Sequence, residues 1–176
     1  MTIHEYQDTP KTVFPQDLTD GVLHVADAPF VSHQRVVFRI GRALQNHVET
    51  DGGGEIILSP IDVILDVHRP LVMQPDLLYV SAARAQIVHD RIYGAPDMVL
   101  EVLSPNPRIG RLEDRIRSFA QYGVREIWVY RQPDRRLDIV SCRDGLPFAS
   151  TSFDRHASVR SDVFPALART THSMMA

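Results

Sequence analysis

The chain has 176 residues, 44% hydrophobic and 23% charged, with a formal net charge of −3. That length can bury a core without disulfide or metal staples, and the composition excludes disordered and collagen-like chains. Its single cysteine, Cys142, excludes an internal disulfide and a cysteine-rich zinc cluster, and no run of about 18 apolar residues reads as a membrane span.

Residues 1–15 carry little pattern and read as a mobile lead-in to a single domain over 16–176. They have neither the basic start nor the apolar core of a signal peptide, so a cytoplasmic location is expected. From Ser32 to about Val48 the apolar positions Val37, Ile40, Leu44 and Val48 recur at helical spacing, with Ser32 as N-cap. Asp51-Gly52-Gly53-Gly54 ends that helix. It reads as a turn rather than a phosphate cradle, because no Lys-Ser or Lys-Thr follows it. Strands are predicted over Glu55–Leu58, Ile61–Asp66, Leu77–Val80 and Met98–Leu103, with Pro60 marking a bend and a short helix near Ala82–Val88. Ser104-Pro105 closes the last of these, and Pro107 and Gly110 mark a loop before a helix over about Arg111–Tyr122. Glu126–Arg131 and Arg136–Cys142 read as two more strands, and a tail from Ser161 holds a short helix and then frays. This order of elements predicts one α/β (α+β) domain built on a mixed sheet.

The charges are unevenly spread. Residues 1–80 hold five basic and eleven acidic side chains, whereas residues 104–143 hold nine arginines and five acids. Such asymmetry permits a basic surface beside a separate acidic cluster, although an ordinary solvated surface explains the charges taken alone. Of the 19 basic residues, 18 are arginine; Lys11 is the only lysine.

Three acids sit within or at the mouth of apolar strands, where an uncompensated charge is costly: Asp76, Asp97 and Glu101. Strand alternation puts Asp97 and Glu101 on one face, but about 13 Å apart, too far to share an ion. If Asp76–Val80 pairs antiparallel with Val99–Leu103, Asp76 lies opposite Glu101 with Cβ atoms about 5 Å apart. Two carboxylates at that spacing share a proton or hold a divalent cation, while the plainer alternative for Glu101 is a salt bridge to an arginine. Asp97, following Pro96, reads most simply as a strand-entry residue. On the following helix Leu112, Ile116 and Phe119 form the core stripe, and Arg111, Arg115, Ser118 and Tyr122 run along an adjacent edge. Those arginines face either phosphate, the acids of the sheet, or solvent. The eight histidines are scattered without metal-ligand spacing; His33, near a helix start, is placed to cap it or touch a substrate, but reads most simply as a surface residue. Trp128 reads as core. There is no G-x-S-x-G, G-x-G-x-x-G or Walker A motif.

Three blocks occur in order: Gln74-Pro75-Asp76-Leu-Leu-Tyr-Val-Ser, Gly94-Ala95-Pro96-Asp97-Met-Val-Leu-Glu101-Val-Leu-Ser104-Pro105, and Tyr122-Gly123-Val124-Arg-Glu-Ile-Trp128. Together they resemble a bacterial restriction-endonuclease-like family, long a domain of unknown function, in the PD-(D/E)XK nuclease superfamily. The match runs from about Ser32 to about Val140. The resemblance implies a restriction-endonuclease-like core, a mixed central sheet flanked by helices, and cutting of nucleic-acid phosphodiesters, in DNA by expectation, with Mg²⁺ or Mn²⁺. It implies that Asp76, Glu101 and the backbone carbonyl of Val102 bind the metal. The superfamily lysine would stand at Leu103, but in the resembled family it comes from the next helix, at the position of Arg115. An acid one turn earlier falls at Arg111. Asp76, Glu101 and Arg115 are therefore the candidate catalytic set, with Arg108, Arg111 and Arg117 as candidate nucleic-acid contacts and Gln74, Asp97 and Tyr122 as accessory residues. Arginine keeps the charge of the missing lysine but cannot release a proton. The competing expectation is a catalytically weakened homologue that binds nucleic acid or a protein, or an assembly module that homodimerises through a sheet edge.

Overall fold

The computed structural model describes all residues except 11, 13, 52 and 104–110. The elements in chain order are α1 (Ile3–Gln7), β1 (Gln16–Thr19), β2 (Val22–Val25), α2 (Val31–Asp51), β3 (Glu55–Leu58), β4 (Val63–Asp66), β5 (Leu71–Met73), β6 (Leu77–Val80), a 3₁₀ turn (Ala82–Ile87) and β7 (Ile92–Tyr93). They are followed by β8 (Met98–Leu103), α3 (Leu112–Gln121), β9 (Glu126–Arg131), β10 (Arg136–Arg143), β11 (Leu146–Phe153) and α4 (Thr171–Met174).

Two sheets result. The larger has the order β11-β10-β9-β8-β6-β3. Only β8 and β9 run parallel in it, because α3 carries the chain back across the sheet between them. The smaller has the order β2-β1-β5-β4-β7. Alternation along β8 separates the two faces of the larger sheet. Met98, Leu100 and Val102 join Trp128 and Tyr130 under the stripe Val36, Val37, Ile40, Leu44 and Val48 of α2. Val99 joins Ile127 and Val129 against Phe119 of α3 and against Val63, Leu71 and Met73 of the smaller sheet. The smaller sheet thus covers the α3 face, which is where Glu101 points. This is the α+β, mixed-sheet architecture with flanking helices that the sequence predicts.

Several local expectations change. Helix α2 opens at Val31, so Ser32 lies inside it rather than capping it. Strands β1, β2, β5, β7 and β11 carry too few residues or too little alternation to be read in advance. Within the first fifteen residues, α1 has a capping box between Thr2 and Glu5 and buries Ile3 and Tyr6 against Leu18, Ile64 and Val72. The tail from Ser161 does not fray: Phe164, Leu167 and Met174 are buried in the α2-face core. Glu126 anchors it, accepting hydrogen bonds from the Ser161 hydroxyl (2.6 Å) and the Asp162 amide (2.6 Å). The glycine turn is required sterically. Gly54 sits at φ +100, and a Cβ there would overlap the Val80 carbonyl oxygen.

Candidate active site

The pairing of β6 with β8 sets the site. Leu77 lies opposite Leu100 in an antiparallel register, which carries Asp76, one residue before β6, to the level of Glu101. The Val102 amide donates to Asp76 Oδ2 at 2.7 Å, pinning that carboxylate to the end of β8. Glu101 is buried on the opposite side of β8 from α2, and Arg115 of α3 reaches it: NH2 and Nε stand 2.6 Å and 3.2 Å from Glu101 Oε1. Arg115 is itself buried, 8% exposed, because it follows the core stripe of α3 rather than its solvent edge. Its NH1 donates to Asp17 Oδ2, and its NH2 also approaches the Gln74 carbonyl at 3.4 Å.

Two residues of this cluster escape the sequence reading. Asp17, on β1 and 3% exposed, also accepts the Gln74 amide at 2.8 Å, so one carboxylate ties the smaller sheet to both Arg115 and the segment before Asp76. The available signal was an acid beside Leu18 in a short strand, and only partner strands reveal it as buried. His33 is not a surface histidine. It is 8% exposed, and its Nε2 lies 3.1 Å from Asp76 Oδ2. Its signal was legible: His33 precedes Val36, Val37 and Ile40 by three, four and seven residues, which puts it on the buried stripe of α2.

The electrostatics follow from burial and from three carboxylates near the Arg115 guanidinium and the His33 ring. Burial pushes the Glu101 carboxyl up to about 7, against the pull of Arg115 and with the help of Asp76 and Asp17. Burial works against a charged His33, but the hydrogen bond and charge of Asp76, with smaller help from Glu101 and the Val102 backbone, hold it above the ordinary histidine value. His33 Nδ1 is buried without a partner among the described residues.

The remaining sequence candidates lie elsewhere. The Gln74 side chain is structural, accepting the Gln16 amide at 3.0 Å and donating to Asp62 at 2.8 Å. Asp97 stands at the other end of β8, accepting the Ser81 amide at 2.8 Å and facing Arg84 and Arg125 at 3.7 Å and 3.8 Å. It is a strand-entry anchor outside the cluster. Tyr122 donates to Asp66 at 2.8 Å and touches neither Asp76 nor Glu101. Arg111 is exposed at the N-cap of α3, and Arg117 is exposed and pairs with Asp114 at 3.5 Å. Arg108 lies outside the described residues.

Asp76 and Glu101 are hard oxygen donors suited to a divalent cation. Asp76 Oδ1 and Glu101 Oε2 make no hydrogen bond to a described residue, whereas the other oxygen of each is engaged. No group of three or more His, Cys, Asp or Glu side chains among the described residues is already arranged around a metal. Asp76 and Glu101 thus each offer an oxygen of the type a divalent cation takes, while the contact the structure shows for Glu101 is its ion pair with Arg115.

Comparisons with known proteins agree with this architecture. The structure is similar to a crystal structure described as a "putative nuclease" of a family of unknown function from Anabaena variabilis, with a TM-score of 0.83 and 15% identity over 99% of this chain and 97% of that one. At that identity the likeness shows the fold. No curated protein matches the chain, and no helix among the described residues is long and apolar enough to cross a membrane. The model of the Uma2 family, described as "Putative restriction endonuclease", matches residues 3–172, and the chain belongs to that family.

Proposed function

We propose that the chain is a divalent-metal-dependent nuclease that hydrolyses nucleic-acid phosphodiesters, with DNA as the expected substrate. Asp76, Glu101 and the Val102 carbonyl would hold Mg²⁺ or Mn²⁺. The observation that carries this reading is the charge imbalance of the site. Asp17, Asp76 and Glu101 lie around the Arg115 guanidinium and the His33 ring, and Glu101 is pushed up to about 7 chiefly by burial, with smaller help from Asp76 and Asp17. A buried carboxylate whose charge is costly in this way is one that a bound cation would stabilise. Bound there, the cation would polarise a phosphoryl oxygen and offset the charge developing on it.

Arg115 remains charged, so it acts by holding Glu101 and Asp17 in place and by opposing negative charge, never by moving a proton. Asp17 fixes the guanidinium from the second sheet, and the Val102 amide orients Asp76. The test is plasmid nicking with Mn²⁺ alongside calorimetric Mn²⁺ titration, on wild type, Asp76→Asn and Glu101→Gln. Both variants are expected to lose nicking and to bind Mn²⁺ at least tenfold more weakly, on the order of one ligand's loss. Unchanged Mn²⁺ affinity in Glu101→Gln would refute the shared site.

A specific observation favours a second reading, a binding homologue with weakened catalysis. Arg115 spends Nε, NH1 and NH2 on protein acceptors. Arg115→Lys separates the two readings. A nuclease limited by this substitution gains Mn²⁺-dependent nicking with lysine, whereas a binding module cleaves with neither residue and still binds the oligonucleotide.

A further inference from the structure

On the α2 face of the larger sheet, opposite the side on which Glu101 lies, there is a second feature that the catalytic cluster does not use. A cavity of about 400 Å³ lies between α2, the end of β9 and the C-terminal segment. Its walls include Arg35, Arg39, Arg135, Arg155, Tyr130 and Thr171, and no acidic side chain among the described residues lines it. None of these four arginines has a carboxylate partner among the described residues. Arg155 instead donates to His172 Nδ1 at 3.2 Å, which leaves its charge unneutralised. Arg135 and Arg155 both lie close enough to Tyr130 to oppose the rise that burial imposes on its phenol.

The second observation is independent of charge. Thr171 is 2% exposed, and its hydroxyl has no hydrogen-bond partner among the described residues. A buried hydroxyl left unpaired is costly, and a ligand oxygen in this cavity would remove that cost. Guanidinium donors from three chain segments, hydroxyls that can donate and no carboxylate among the described residues form a donor-rich surface. That chemistry selects an oxyanion with several acceptor oxygens, and the planar arginine fork matches phosphate.

We propose that this cavity is a phosphate-binding subsite that grips the backbone of a nucleic-acid strand next to the catalytic cluster. The phosphate chemistry stands on the cavity alone; the strand as its carrier rests on the nuclease reading. Two observations favour a strand over a free phosphate. The cationic groups are spread over α2, the turn after β9 and the segment after β11, more charge than one phosphate neutralises. The first turn of α2 also joins the two regions: Ser32 lines the cavity, and the next residue, His33, touches Asp76. Likewise Tyr130 pairs across the parallel register with Val102, whose amide holds Asp76.

The test is fluorescence anisotropy of a labelled single-stranded oligonucleotide in EDTA, over a salt series, with inorganic phosphate and a nucleoside monophosphate as separate ligands. The proteins are wild type, Arg35→Gln/Arg39→Gln, Thr171→Val and, as a control outside the cavity, Arg160→Gln. The double variant is expected to bind the oligonucleotide at least about tenfold more weakly and to lower the salt slope by about 1.4. Thr171→Val keeps the side-chain shape and charge, so it should weaken binding about tenfold with the salt slope unchanged and without loss of Tm. Arg160→Gln should bind as wild type. Equal weakening by Arg160→Gln, or wild-type affinity in Thr171→Val, overturns the subsite. Thr171-dependent binding of phosphate or the monophosphate without oligonucleotide binding overturns the strand as carrier. Thr171-dependent oligonucleotide binding by a protein that never nicks plasmid supports the subsite while refuting the nuclease reading.

Discussion

Replacing Arg115 by methionine removes the one guanidinium that touches both Asp17 and Glu101 while filling most of its volume. Both acids are buried, at 3% and 9% exposure, so each is left facing an apolar replacement. Breaking a buried pair in this way costs about 3–5 kcal/mol, which for a domain of this size lowers Tm by roughly 6–20 °C. The loss has a required pH dependence. Glu101 in the folded protein is already pushed up to about 7 by burial, with Arg115 pulling down, and methionine removes that pull. A carboxyl whose folded value lies above its unfolded one contributes stability that is complete below about pH 4.5 and is lost as pH rises through the folded value. The difference between wild type and Arg115→Met is therefore expected to be larger near about pH 8 than near about pH 5, where the Glu101 part is small and the loss of the Asp17 contact remains. Thermal melts at both values, without metal, measure it. A Tm within about 2 °C of wild type at the higher pH, or a deficit that grows on acidification, would show that Arg115 does not neutralise this pair.

Two further outcomes test the frame around the site. Gly54→Ala is expected to lower stability by roughly 2–4 kcal/mol, since a Cβ at φ +100 overlaps the Val80 carbonyl oxygen and lies 2.7 Å from the Tyr79 ring; Gly53→Ala, 3.3 Å from the Ala82 side chain, should cost less, and equal melts would refute the steric account. Glu126→Gln is expected to cost about 2 kcal/mol, because Trp128 and Ser161 donate to one oxygen, Asp162 and Val163 donate to the other, and an amide nitrogen at either place faces donors. Urea unfolding followed by Trp128 emission reads this loss, and an unshifted midpoint would show that the carboxylate does not hold the C-terminal segment.

What the sequence determined by itself is local and periodic. The 3.6-residue repeat of Val37, Ile40, Leu44 and Val48 needs a helix to bury one stripe, and the apolar run of Met98–Leu103 needs a strand covered on both faces. Prolines and glycines punctuate these elements, so β3, β6, β8, α3, β9 and β10 fall where the pattern puts them. One acid inside β8 and another just before β6 were legible as a pair on the condition that the two strands run antiparallel, and the observed register meets that condition. The contacts made across the fold were not legible. β1 and β5 are three or four residues long and acquire their pattern only by pairing within the smaller sheet, so nothing local marks Asp17 as the residue that meets Arg115, 98 positions away. Arg115 itself falls on the buried stripe of α3 with Phe119, and its burial is tolerable only because β8 supplies Glu101 and the smaller sheet supplies Asp17. The C-terminal segment carries too little periodicity to be placed, yet Glu126 and the α2 core fix it, and with it Thr171, against the arginines of α2. Sequence spacing sets which side chains share a face of one element. Which faces meet depends on burial summed over the whole chain, and only the folded molecule decides that.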